Sequence, residues 1–103
     1  MLEIDIGSKK GILFVRFYGY LNKKTREKLN SEVIKLINTV GIKNIVLNIQ
    51  NLKQIDKYGI EYIKKCYKTC DKSYICLNAN QLDLIKKLKW VINEEEAIKL
   101  INT

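Results

Sequence analysis

Residues 45–60 read Ile45-Val46-Leu47-Asn48-Ile49-Gln50-Asn51-Leu52-Lys53-Gln54-Ile55-Asp56-Lys57-Tyr58-Gly59-Ile60. Ile45 to Ile49 is an aliphatic run with Asn48 as its one polar member, the pattern of a buried strand. The segment from Leu52 leaves that strand and enters a helix expected from about Lys57 to Thr69. Asp56 stands where a helix N-cap belongs, because its carboxylate can accept from the free amides of the first turn. Gly59, inside that turn, predicts close approach of another backbone. A strand that passes straight into a helix is half of a crossover between parallel strands.

The same grammar extends in both directions. Leu2, Ile4 and Ile6 alternate with Glu3 and Asp5, as in a half-exposed strand, and Gly7 to Gly11 reads as a turn. Ile12 to Tyr18 is a second strand that pairs with the first as a hairpin and ends at Gly19. Asn22 or Thr25 caps a helix from about Lys23 to Val40, with Leu29, Val33, Leu36, Ile37 and Val40 on one face and Gly41 as its left-handed stop. After the Lys57–Thr69 helix, with Ile60, Ile63, Cys66, Tyr67 and Cys70 inward, come a strand at Tyr74–Leu77 and a short helix from Gln81 to Leu88. A short strand at Trp90–Ile92 follows. Asn93 then caps a last helix whose first turn holds Glu94, Glu95 and Glu96, where the helix dipole favours negative charge. The order β-β-α-β-α-β-α-β-α predicts an α/β fold: a mixed, mostly parallel sheet of four to five strands with about four helices, in a single domain over residues 1–103.

Composition narrows the function. A chain of 103 residues has material for one core, and 47% hydrophobic with 29% charged residues is a globular balance. There is no proline and no histidine, which removes Pro-rich linkers, the commonest general base and the commonest metal ligand together. The five glycines match neither GxGxxG nor GxxxxGK[ST]. The acidic residues are scattered with no marked pair, so the chain reads as no enzyme, with no cofactor, no metal and no evident small-molecule substrate. Cys66, Cys70 and Cys76 form no CxxC pair and read as small buried hydrophobes.

The formal charge is +8, and 17 of the 19 basic residues are lysine. Lys, Ile and Asn, all with AT-rich codons, are abundant together, so codon bias is favoured over a nucleic-acid or membrane surface as the source of the charge. The N-terminus is acidic and alternating, unlike a signal peptide, and no apolar run approaches the ~20 residues of a membrane span. The expectation is a cytoplasmic protein.

The outer side of the second helix is the candidate binding surface. Tyr58 and Tyr62 lie four apart and share a side, and Glu61 precedes Lys65 at the spacing of a helix ion pair. Exposed tyrosines beside a helix start suit an interface core; the plainer alternative lays one or both flat over the sheet edge.

Three stretches carry a resemblance. Ile12-Leu13-Phe14-Val15-Arg16-Phe17-Tyr18-Gly19-Tyr20-Leu21-Asn22, followed by Thr25, resembles a strand running into Gly-Glu-Leu-Asp and a helix. Ile45 to Ile49 with Leu52 resembles a central strand, and Ile55-Asp56-Lys57-Tyr58-Gly59-Ile60 falls on an Asp-Ser-Ser-Gly-Leu signature. Together they resemble the STAS domain of the anti-sigma factor antagonist (anti-anti-sigma factor) family.

The resemblance implies a protein that binds a kinase-like anti-sigma factor and so regulates sigma-factor-directed transcription. It implies a partner surface of Asn22, Asp56, Lys57, Tyr58, Gly59, Glu61, Tyr62 and Lys65. In the family the first Ser after the signature Asp is the phosphoacceptor. Here that position is Lys57, with Tyr58 next, and Asn22 replaces an acidic residue. Lys57 brings positive charge where a phosphoserine would bring about −1.5 to −2, so the serine switch is expected to be missing. Two other readings are a STAS subunit of a lipid-transport or other membrane-associated complex and a basic nucleic-acid-binding domain.

Overall fold

The computed structural model describes residues 1–85 and 87–103 of the chain. Strands β1 (Leu2–Lys9) and β2 (Ile12–Leu21) pair antiparallel from Leu2↔Gly19 to Lys9↔Ile12. The turn is tighter than the expected Gly7–Gly11. Gly7 stays in the strand, and only Lys10 and Gly11, at φ 54° and 76°, reverse the chain. Two successive positive φ values suit the two-residue hairpin turn that follows the right-handed strand twist. Gly19 does not end β2. The strand continues to Leu21 across register shifts at residues 16–18 and 19–20. Gly19 (φ 98°) sits where an added Cβ would lie 2.2 Å from the Met1 carbonyl oxygen.

Helix α1 spans residues 26–40. It is α-helical over Arg26–Leu29, π-helical over Asn30–Ile34 and α-helical again over Lys35–Val40. Its start lies three residues beyond the expected Lys23, because Asn22 to Thr25 form a separate turn. The wide π turn moves the inward stripe along by about one residue. Leu29, Val33, Ile34 and Ile37 are buried, while Val40, expected inward, is 61% exposed. Gly41 ends the helix at φ 76° and donates its N–H to the Ile37 carbonyl.

Strand β3 (Asn44–Ile55) runs well past Ile49, and α2 (Lys57–Thr69) follows one residue later. Strand β4 (Lys72–Cys76) leads to a 3-10 helix at Ala79–Leu84, then β5 (Trp90–Val91) and α3 (Glu94–Ile101). The expected helix through Leu88 is thus a shorter 3-10 segment, and its Lys86 lies outside the described residues. Among the described residues five strands form one sheet in the order β1-β2-β3-β4-β5, parallel except for the hairpin. This is the mixed α/β architecture and element order that the sequence predicts.

The sheet divides the interior in two. Val15, Phe17, Leu47, Ile49 and Ile75 pack with α1, α2 and the 3-10 segment in the larger core. On the other face Ile12, Phe14, Val46, Cys76 and Val91 pack against Ala97 and Ile101 of α3. Asn48, the polar residue of the central strand, points to this second side. Its amide donates to Glu94 Oε2 at 2.9 Å. Arg16 grips the same carboxylate with two hydrogen bonds, Nε to Oε2 at 2.9 Å and Nη2 to Oε1 at 2.8 Å, and reaches Asp5 at 3.0 Å. Asn93 caps α3, accepting from the Glu96 N–H at 2.8 Å. The short C-terminal helix is therefore fixed at its N-terminal end by a charged clamp and at its body by apolar contact.

Burial alone would raise the Glu94 carboxyl. The hydrogen bonds from Arg16 and Asn48, with the Arg16 charge, outweigh it and hold the group below its ordinary 4.5. A folded pKa below the unfolded one stabilises the fold above the unfolded pKa, and that stabilisation is lost as pH falls through the folded value. Urea midpoints of the wild type and Glu94→Gln, followed from roughly pH 7 to pH 3, should converge across that window. A gap between the two that does not change with pH would show that Glu94 acts through packing rather than charge.

Candidate functional site

The site forms where β2 and β3 end side by side and the chain turns into α2. Parallel pairing continues to Leu21↔Ile55, so the loop after Leu21 and the start of α2 leave the sheet at the same place. Asp56 joins them. Its backbone N–H donates to the Leu21 carbonyl at 3.2 Å. One carboxylate oxygen accepts from Gly59 N–H at 2.9 Å, the N-cap expected from the sequence, and the other accepts from Lys23 N–H at 3.3 Å.

Asn22 organises its own loop: its side-chain oxygen accepts from the N–H of Lys24 at 2.9 Å and of Thr25 at 3.1 Å. The Thr25 hydroxyl donates to the Tyr20 carbonyl at 2.8 Å. Thr25 precedes the helix without capping it through its side chain.

Gly59 has the close backbone neighbour that its position predicts. A Cβ there would lie 2.5 Å from the Leu21 carbonyl oxygen and 2.9 Å from Ile55 Cγ1. The face of α2 that carries Gly59 is thus pressed on the sheet, which sets the rotation of the helix. Gly59, Ile63, Cys66 and Cys70 are buried, whereas Ile60 and Tyr67, both expected inward, are half-buried.

The same rotation corrects the expected outer surface. Lys57, Glu61 and Lys65 are exposed, but Tyr58 and Tyr62 are half-buried, and Tyr62 packs against the larger core. The ion pair expected between Glu61 and Lys65 does not form; among the described residues the ion pairs are those of Arg16 with Asp5 and Glu94. The Lys65 ammonium instead lies 5.7 Å from the centre of the Tyr62 ring.

Helix α1 contributes what the sequence reading missed. The Arg26 guanidinium lies 5.2 Å from the Tyr58 ring centre and 5.5 Å from that of Tyr62, joining the two tyrosines. Lys23 and Lys57 lie at 5.4 and 5.2 Å from the Tyr58 ring. These are distances at which a cation is attracted to an aromatic face. One signal was available in the sequence: in a chain with 17 lysines, Arg16 and Arg26 are the two arginines. Arg16 makes a forked pair of hydrogen bonds to a carboxylate, and Arg26 approaches two aromatic rings.

Beside the helix start lies an open cleft of about 560 Å³. Asn22, Lys53, Gln54, Asp56, Asn80 and Gln81 are among the residues that line it. Gln81 is already engaged, donating to the Ile49 carbonyl and accepting from the Asn78 N–H. Among the described residues no group of three His, Cys, Asp or Glu side chains is placed to hold a metal. The three thiols are buried, which pushes Cys66 up to about 12 and Cys70 and Cys76 up to about 11. They therefore stay protonated at neutral pH and are poor nucleophiles. Among the described residues no helix is long and apolar enough to cross a membrane.

A family model for the STAS domain matches residues 3–88. Solved structures share the fold at low identity. The anti-sigma factor antagonist SpoIIAA in its unphosphorylated form has a TM-score of 0.77 at 15% identity, covering 97% of this chain and 98% of that one. An anti-sigma factor antagonist from Mycobacterium paratuberculosis has a TM-score of 0.86 at 10% identity, over 100% and 96% of the two chains. A putative anti-sigma factor antagonist from Thermotoga maritima has a TM-score of 0.79 at 14% identity, over 97% and 95%.

The Gly59 contact makes a direct prediction. In an open helix, Gly→Ala stabilises by up to ~1 kcal/mol. Here the new methyl group meets a backbone carbonyl, so Gly59→Ala should instead lose about 1–3 kcal/mol in urea denaturation. A gain in stability would mean that the helix start is not held against Leu21.

Proposed function

The chain belongs to the STAS domain family, and from that premise we propose that it is a non-catalytic, cytoplasmic protein-binding module acting as an anti-sigma factor antagonist. Its partner is a kinase-like anti-sigma factor, and its binding releases a sigma factor to direct transcription. The binding face comprises Asn22, Asp56, Lys57, Tyr58 and Gly59 at the loop and helix start, with Glu61, Tyr62 and Lys65 along α2. The observation that carries this reading is the Asp56 junction. It fixes the Asn22 loop and the first turn of α2 against one another through two carboxylate hydrogen bonds, so the two segments form one ordered surface. Solved anti-sigma factor antagonists with the same fold over nearly their full length support the choice of partner class.

The family's serine position is Lys57, which is exposed and cannot accept phosphate as a serine does. Ser8, Ser31 and Ser73 all lie outside residues 56–59. Binding on this face is therefore not regulated by serine phosphorylation at the helix start.

The test uses an ATP-binding, kinase-like anti-sigma factor encoded beside the gene for this chain. Titration calorimetry should show saturable binding. Tyr58→Ala, checked by thermal melting, should weaken it ~30-fold or more, the effect of losing an interface anchor worth about 2 kcal/mol. Affinity unchanged in that variant would place the interface elsewhere. Incubation with the partner and ATP, followed by mass mapping, should leave residues 56–59 without phosphate; stoichiometric phosphate on Tyr58 would show that a switch persists.

A further inference from the structure

Helix α2, with the loop and helix that follow Asn22, brings four cationic side chains onto two tyrosine rings. Lys23, Arg26 and Lys57 each lie within 5.4 Å of the Tyr58 ring centre, and Arg26 and Lys65 flank Tyr62. Among the described residues none of the four is in an ion pair. The nearby carboxylate of Asp56 is directed at backbone N–H groups of Gly59 and Lys23. Further along α2, Lys64 and Lys68 border a shallow hollow with Lys65, where Glu61 is the one carboxylate on the rim.

Groups gathered on one ring lie within about one screening length of each other, ~8–10 Å at physiological salt. They repel, and the ring faces compensate only in part. An opposing anionic surface would turn that repulsion into attraction and raise the rate of encounter.

We propose that this platform docks onto an acidic face of a protein partner, and that Lys23 and Arg26 of the first loop and helix belong to the interface together with α2. The inference rests on the reading of this face as the partner surface and adds the chemistry of what it meets. A protein fits better than a nucleic acid. Stacking a base requires a free ring face, and here cations lie over the tyrosines. The Arg26 fork, the group suited to reading base edges, is itself held on the rings. Codon bias is favoured for the lysine excess of the whole chain, but this unpaired, ring-bound grouping is a local arrangement.

The experiment titrates the full chain with a fluorescein-labelled glutamate-rich peptide, its glutamine counterpart, and duplex DNA of the same net charge. Amide shifts in two-dimensional NMR and fluorescence anisotropy are the readouts. The acidic peptide should shift residues 23–26 and 57–65, and its affinity should fall roughly tenfold as added salt shortens the screening length to well below ~8 Å. Lys57→Glu and Lys65→Glu should each weaken it several-fold, while Lys43→Glu, on an exposed loop elsewhere, should not. Equal loss with Lys43→Glu, or shifts spread over the chain, would reduce the effect to net charge and overturn the proposal. Tighter binding of the DNA through the same residues would overturn it in favour of a nucleic-acid surface. The same variants, with Tyr58→Ala, are then measured against the kinase-like anti-sigma factor. If Tyr58→Ala weakens that complex and Lys57→Glu does not, the face stands and its acidic complement is wrong. If neither variant changes it, the face itself is wrong.

Discussion

The site depends on the contact between the Leu21 carbonyl and the first turn of α2. That oxygen accepts from the Asp56 N–H and occupies the space that a side chain at residue 59 would need. Only glycine allows the helix to approach so closely, and only a short acceptor such as Asp56 can cap the helix while also holding the neighbouring loop. The parallel register that ends at Leu21↔Ile55 delivers both segments to the same point. From there the rotation of α2 is fixed, and with it the division between Ile63 and Cys66 in the core and Lys57 and Lys65 in solvent.

The two arginines have corresponding roles on opposite sides of the sheet. Arg16 lies on the α3 face and ties the start of that helix to the central strands through Glu94 and Asn48. Arg26 lies on the α2 face and ties α1 to the tyrosines of α2. At Glu94 the planar guanidinium makes a paired contact that a lysine ammonium does not reproduce. One contact secures the fold, and the other organises the surface proposed above to meet the partner.

At the start of α2 this chain presents an exposed, positively charged side chain, Lys57. A surface built this way has a constant sign. On the proposed reading its affinity for a partner would be set by ionic strength and by the partner's charge, whereas a phosphorylated serine would reverse the local charge. The fold gathers three of the lysines, Lys23, Lys57 and Lys65, around Tyr58 and Tyr62.

Much of the fold was legible because its signals are local. Asp56 and Asn93 cap their helices, Gly41 stops α1 with a positive φ, and the apolar runs of β2, β3 and β4 mark the buried strands. Gly59 announced a close approach without naming its neighbour. What the sequence left open depends on pairs far apart in the chain. Arg16 and Glu94 are 78 positions apart, and Arg26 meets Tyr58 and Tyr62 only because α1 packs beside α2. The exposure of the tyrosines was misread for the same reason. Helical periodicity places Tyr58 and Tyr62 on one side of α2, but the contact at Leu21 decides how that side is turned. The π turn in α1, which brings Ile34 inward and turns Val40 out, shifts the apolar stripe in a way that a regular 3.6-residue period does not foresee. Residue types and spacing therefore determined the elements and their order, while packing between elements decided which charges and rings meet at the surface.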